Sequence, residues 1–223
     1  MASSFAPILA RATKRAGGAK ELDKKLPKPK SAKVLKAVGD DRYLSLMSLR
    51  IFRAGLKHSL VDAKWPAFEK AFHRFEPRRI LAMPDEALEA CMKNEALIRH
   101  WAKLKSILAN AAALLAVSKE HGGFGAYLAG WPATDTVGLW ADIAKRFQQM
   151  GGNSGPYFLR MAERDTFILT DDVTAALVAA KVVAKKPTAQ ADLKLTQDAF
   201  NQWSEETGRS QSQLSRILAL SVG

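Results

Sequence analysis

From Asp40 onward, apolar residues recur every three or four positions. Tyr43, Leu44, Met47, Ile51 and Ala54 keep this spacing, which predicts an amphipathic helix with one buried face. Trp65, Phe68 and Phe72 repeat it. Trp65-Pro66 is expected to open their helix, because proline is tolerated in a first turn. Met83-Pro84-Asp85-Glu86 predicts another start, with acids near the positive end of the helix dipole. A long helix is expected over about 103–119, ended by His121-Gly122-Gly123. Thr134 or Asp135 caps one running to Gln149, and further helices are expected over about 156–163, 171–184, 192–206 and 210–220. The alternating Val/Ile/Thr pattern of strands is nearly absent, so the expected fold class is all-α. No internal repeat is visible.

The chain has 223 residues, 48% of them hydrophobic, enough for a sizeable core. Its formal net charge of +12 suits a polyanionic partner, either nucleic acid or an acidic membrane face. The charge is uneven. Residues 1–36 hold ten Lys/Arg against Glu21 and Asp23, a net +8, which leaves +4 for the rest. With Gly17-Gly18 and Pro27-Lys28-Pro29, this segment reads as a basic N-terminal arm over 1–38 with short helical pieces, ahead of a helical domain over 39–223. A solubilising tail reads the same residues equally well. The apolar run Ile107–Val117, interrupted by Asn110, is too short for the roughly 20 residues that span a bilayer. No long apolar core marks the N-terminus as a secretion signal. The single Cys91 excludes an internal disulfide and Cys-based zinc modules, and fits a reducing compartment. A cytoplasmic monomer with no membrane partner is the expectation.

Two stretches carry candidate chemistry. Gly151-Gly152-Asn153-Ser154-Gly155 is a glycine-rich turn between two helical patterns. Its glycines allow positive φ and close approach to a ligand. A helix expected to start at about Pro156 would point free N–H groups into the turn, a geometry that suits a phosphate. An ordinary helix connector has the same composition. Twenty residues beyond Gly152 stands Asp172, in Phe167-Ile168-Leu169-Thr170-Asp171-Asp172-Val173. A carboxylate here can cap a helix, or stabilise positive charge on a sugar and orient water. The four histidines show no metal-binding spacing, and no Ser/His/Asp or Cys/His set is readable.

These residues resemble the DNA-3-methyladenine glycosylase I family within the helix-hairpin-helix glycosylases. The resemblance is carried by Asp41-Arg42-Tyr43-Leu44, by Leu49 to Leu56, by Ala67 to Phe72, by Phe75-Glu76-Pro77, by Ile80 to Met83, and by Leu97 to His100 with Asn110-Ala111. It runs over 41–117 and, more thinly, over 144–173. It leaves out 1–38 and 187–223. It implies a two-lobed, all-α helix-hairpin-helix fold and a double-stranded DNA partner carrying a damaged base, which is flipped into a cleft. It further implies that Gly151, Gly152, Asn153, Ser154 and Gly155 hold a DNA phosphate, that Asp172 is the catalytic carboxylate, and that Arg50, His58 and Tyr157 border the base pocket.

The chain departs from the family at informative places. The family's base-recognising glutamate falls at Arg50, and its pocket tryptophan at His58. Its zinc ligands have no counterpart, since a zinc histidine falls at about Asp172 and a zinc cysteine at Ala176. No metal and no cofactor are therefore expected. Two functions remain from the sequence. One is a base-excision DNA glycosylase acting on alkylated bases of the 3-methyladenine type by N-glycosidic hydrolysis. The other is a relative that binds DNA or recognises lesions without cleaving. A basic module on a membrane or a protein explains the N-terminal segment but neither the glycine turn nor Asp172.

Overall fold

The computed structural model describes residues 3–222, which form helices and connecting turns with no strand. In chain order the helices are α1 (Ala6–Ala16), α2 (Ala19–Lys24), α3 (Ala32–Ala37), α4 (Asp40–Arg53), α5 (His58–Ala71), α6 (Pro77–Leu81) and α7 (Asp85–Lys93). After them come α8 (Trp101–His121), α9 (Phe124–Gly130), α10 (Thr136–Arg146), α11 (Ser154–Met161), α12 (Asp171–Ala179), α13 (Gln190–Thr207) and α14 (Gln211–Ser221). Several ends follow the local chemistry read from the sequence. Ser210 and Gln213 form a reciprocal capping box at α14. Gly122, in the left-handed conformation, ends α8. One expectation is corrected. Pro66 does not open a helix but sits inside α5, which already starts at His58. Pro66 is solvent-exposed, so the carbonyl it leaves without an amide partner can turn to water.

The chain divides into two compact units. The first comprises the residues up to Pro29, Pro132–Leu139 and the residues from Asp165 onward. Here α1 lies along α14, which also packs α12 and α13. Phe5 meets the fully buried Trp203 at 5.2 Å. The Trp203 indole donates to the Ser3 carbonyl (2.8 Å), and the Glu206 carboxylate accepts from the Ser4 hydroxyl (2.6 Å) and the Phe5 amide (3.0 Å). Those two bonds hold the Glu206 carboxyl below its ordinary range. Phe167 stacks on Phe200 at 4.1 Å. The basic segment 1–38 is consequently shared between the units and does not stand apart as an arm. Phe5, Ile8, Ala12, Leu22 and Leu26 are buried; burying such side chains is worth roughly 1.5–3 kcal/mol for each large one. Their Lys and Arg neighbours stay outside.

The second unit holds Lys30–Trp131 and Trp140–Arg164, so the boundary falls within α10. Helix α4 is its centre and packs α5, α8, α9 and α11. Trp65, Phe68, Phe72 and Phe75 form a stack with ring centroids 5.0–6.1 Å apart, an arrangement favoured beyond its area burial. Helix α3 rests on α9 so closely that a Cβ at Gly125 would lie 2.2 Å from the Leu35 carbonyl oxygen. The buried Tyr43 hydroxyl donates to that same oxygen at 2.8 Å, and burial pushes the phenol up to about 12.

Candidate functional site

The glycine-rich turn joins α10 to α11, giving a helix–turn–helix hairpin. Gln149 (φ 60°) and Gly152 (φ 58°) take left-handed backbone angles that reverse the chain. Asn110 holds the entry to this turn. Fully buried on α8, its side chain donates to the Gln148 carbonyl (3.1 Å) and accepts from the Gln148 amide (2.7 Å). Both polar groups of one residue's backbone are thus satisfied by one amide side chain. Gln149 adds a bond from its side chain to the Ala102 carbonyl (2.9 Å).

The donors for an anion differ from those the sequence suggested. Helix α11 begins at Ser154, so Ser154 and Gly155 lie inside it, and Pro156 is its third residue. Proline fits there because that position lacks an intrahelical N–H partner anyway. The Ser154 amide donates to the Gly151 carbonyl and the Gly155 amide to the Met150 carbonyl, each at 3.1 Å. A Cβ at Gly155 would lie 3.2 Å from that Met150 oxygen. The exposed amides of the turn without a hydrogen bond among the described residues are those of Gln149 at its entry and of Gly151, Gly152 and Asn153.

Tyr157, one turn into α11, faces the last turn of α4. The Arg50 guanidinium lies over its ring, 4.8 Å from the centroid, within reach of a cation–π attraction. Arg50 Nε is shielded from solvent and has no hydrogen-bond partner, and the side chain makes no ion pair among the described residues. Burial lowers the Arg50 pKa, and neighbouring Arg53 lowers it further. Lys103 on α8 comes close behind. It is 8% exposed, and its ammonium donates to the Ala54 (2.7 Å) and Phe52 (3.3 Å) carbonyls at the end of α4. Its pKa is lowered by burial and then by the charge of Arg50. The nearby acid, Asp62, is engaged by Arg53 at 2.7 Å. The structure therefore brings two of the three expected base-pocket residues together, with a cation behind them. His58, the third, opens α5, is exposed, and makes no hydrogen bond or ring contact among the described residues.

Asp172 belongs to the first unit and lies in the first turn of α12. Capping and pairing there are done by its neighbours. The Thr170 hydroxyl accepts from the Val173 amide (3.2 Å), and Asp171 pairs with Lys186 (3.0 Å). Asp172 is exposed and has neither a hydrogen bond nor an ion pair among the described residues. The extended run before it is fixed by α14. Asp165 accepts from the Gln211 (3.0 Å) and Ser212 (2.8 Å) amides, and the Ser215 hydroxyl accepts from the Ile168 amide (3.1 Å). Among the described residues no three His, Cys, Asp or Glu side chains converge to hold a metal ion, and no helix is long and apolar enough to cross a membrane.

Sequence reasoning missed the roles of Asn110 and Lys103. Asn110 did leave a signal, as the lone polar residue in the apolar run of α8. Lys103 left none, because a lysine on a helix ordinarily faces water.

Comparison with known proteins bears on these features. The sequence profile of the methyladenine glycosylase family matches residues 35–150, more than half of the chain. The DNA-3-methyladenine glycosylase of Haemophilus influenzae is 45% identical over 67 residues, 30% of this chain and 36% of that protein. DNA-3-methyladenine glycosylase 1 of Escherichia coli is 33% identical over 68 residues, 30% of this chain and 36% of that protein. The chain thus spans about a third of the curated relatives it matches. Among solved structures, 3-methyladenine DNA glycosylase I from Staphylococcus aureus aligns over 64% of this chain and 82% of its own, with TM-score 0.50 and 22% identity. The 8-oxoguanine glycosylase/lyase of Methanocaldococcus jannaschii, solved with DNA, aligns over 95% of both chains with TM-score 0.55 and 13% identity. These likenesses show the fold, and the archaeal one reaches the C-terminal helices that the family profile leaves out.

Proposed function

The chain belongs to the methyladenine glycosylase family, and from that premise we propose that it is a base-excision DNA glycosylase, hydrolysing the N-glycosidic bond of an alkylated base in duplex DNA. The observation that carries the proposal is the state of Asp172. It follows the hairpin at the start of α12 and takes no part in capping or pairing, which Thr170 and Asp171 perform. A free carboxylate is what oxocarbenium character on a deoxyribose needs for charge stabilisation and for orienting water. In this reading the Gly151, Gly152 and Asn153 amides take a backbone phosphate, and the base flips out of the stack toward Arg50 and Tyr157, with His58 at the border.

The test is single-turnover release of free base from duplexes alkylated to carry either a cationic base (3-methyladenine) or an uncharged one (1,N6-ethenoadenine), with unmodified duplex as control. Release from an alkylated duplex alone is the expected result. If duplex binding survives with no base released, the protein is instead a lesion-binding relative of the same fold. The unpaired Arg50, a basic group with no acid beside it, favours that second reading, since it can serve a phosphate as readily as a base. Binding to acidic vesicles in preference to DNA would remove both.

A further inference from the structure

The charged side chains that act on Arg50 are the cations Arg53 and Lys103. Arg50 is half-buried and unpaired, with Nε shielded from water. Lys103, almost fully buried, stands behind it, and Arg53 holds the nearby carboxylate of Asp62. Helix α4 aligns its negative dipole end with these cations, but Lys103 already donates to the last carbonyls there. A partly desolvated cation without an acid is an unstable arrangement unless something complementary arrives. The Arg50 guanidinium lies over the Tyr157 ring, 4.8 Å from its centroid, and its planar N–H groups are the donor set that recognition of an acceptor uses.

Glycosidic cleavage makes the sign of this charge matter. When an uncharged base leaves, the electron pair of the C1′–N bond goes to the base, which departs as an anion. Water then adds its oxygen to C1′, one of its protons stays on the new sugar hydroxyl, and the other ends on the base through solvent. When an N-alkylated purinium leaves, the same pair neutralises its positive charge. The base departs neutral, and the second water proton goes to solvent. A fixed guanidinium stabilises the first departure as negative charge develops. It disfavours the second from the outset, because the cationic base must enter beside Arg50 and Lys103.

We infer that the Arg50–Tyr157 site is built for an uncharged damaged base that presents a hydrogen-bond acceptor and leaves as an anion, rather than for a cationic N-alkylpurine. The inference rests on the glycosylase reading above. It sets this chain apart in substrate class from relatives named for 3-methyladenine, a lesion that carries positive charge while attached to the sugar.

The experiment measures single-turnover release from four duplexes, carrying 7-methylguanine, 3-methyladenine, 1,N6-ethenoadenine or hypoxanthine, each divided by its spontaneous rate. The expected result is a larger acceleration for the two uncharged bases. Arg50→Gln should lower the uncharged-to-cationic ratio by ~10²-fold, the usual cost of one aligned charge-stabilising donor. Arg50→Lys should recover part of the ratio, and Arg50→Glu should invert it. Thermal melts of each variant check that the fold is retained. Acceleration confined to the cationic bases, or an Arg50→Gln variant that slows all four equally, overturns the inference while leaving the glycosylase reading in place. Release of none of the four overturns both.

Discussion

Arg42 and Arg50 stand two turns apart on α4 and live in opposite electrostatic conditions. Arg42 makes a paired hydrogen bond to Glu69 (3.0 and 3.1 Å), bonds to Asp41 (2.9 Å), and donates to the Arg74 carbonyl. The Glu69 bond, outweighing partial burial, raises its pKa. It fixes a left-handed run, His73, Arg74 and Phe75 (φ 50–60°), beside a polar cavity of about 480 Å³. Arg50 makes no ion pair among the described residues, and burial lowers its pKa. Helix α12 repeats the contrast with carboxylates, where Asp171 is paired and its neighbour Asp172 is not. A charge whose partners lie within its own fold serves the fold. One left without partners is available to a ligand, and position along a helix does not separate the two kinds.

The sharpest way to break this contrast is to neutralise each carboxylate of α12. Asp172→Asn keeps the shape and should slow base release by ~10²-fold or more, as loss of an aligned electrostatic group does, while duplex affinity stays nearly unchanged. Asp171→Asn should change release by no more than ~3-fold, since it removes only an exposed ion pair. Equal losses in the two variants would take Asp172 out of the mechanism.

Asn110 extends the comparison to a neutral side chain wholly engaged by the fold. Asn110→Ala strands both backbone polar groups of Gln148 and should destabilise the protein by about 2–3 kcal/mol in denaturant titration. Duplex binding should weaken with it, because the hairpin loses its anchor. A stable variant with normal DNA affinity would show that the turn holds itself.

Arg42→Ala comes next in size. Its guanidinium is partly exposed, so the loss should be about 1 kcal/mol of stability, discounted for solvent screening, with base release within ~2-fold of wild type. A large loss of release without loss of stability would place Arg42 among the functional cations and dissolve the contrast with Arg50.

The smallest effect is expected from the basic N-terminal residues. Truncation is no clean test, because Phe5 and Ile8 are core. Replacing the exposed Lys14, Arg15 and Lys20 together with Gln leaves that core intact. If these side chains neutralise phosphates, the log–log salt slope of duplex binding should shrink by about 0.9 for each phosphate no longer neutralised. An unchanged slope would assign them to solubility.

Helix existence was legible because it depends on local periodicity and end chemistry. The spacing of Tyr43, Met47 and Ile51, the capping serine at 210 and Gly122 after α8 each act within one or two turns. The same locality is misleading at Pro66. A first-turn proline and an exposed mid-helix proline look alike in sequence, and they differ in where the helix begins, here at His58, about two turns before Pro66. At the hairpin the sequence identified the glycines but not which amides stay free, because the answer lies in bonds closed by Gly151 and Met150.

The sequence by itself determined an all-helical chain, a positive charge, a glycine-rich reversal and a pair of aspartates at a helix start. Each follows from the side chains and their spacing alone. Tertiary structure decided which charges are committed. Glu69 reaches Arg42 across 27 residues, Asn110 reaches Gln148 across 38, and Lys103 reaches the end of α4 across 49. No spacing rule spans such separations, because contacts between helices depend on how whole faces pack. For the same reason it took the folded chain to leave Arg50 without an acid and to lay it over Tyr157, far along the sequence on α11.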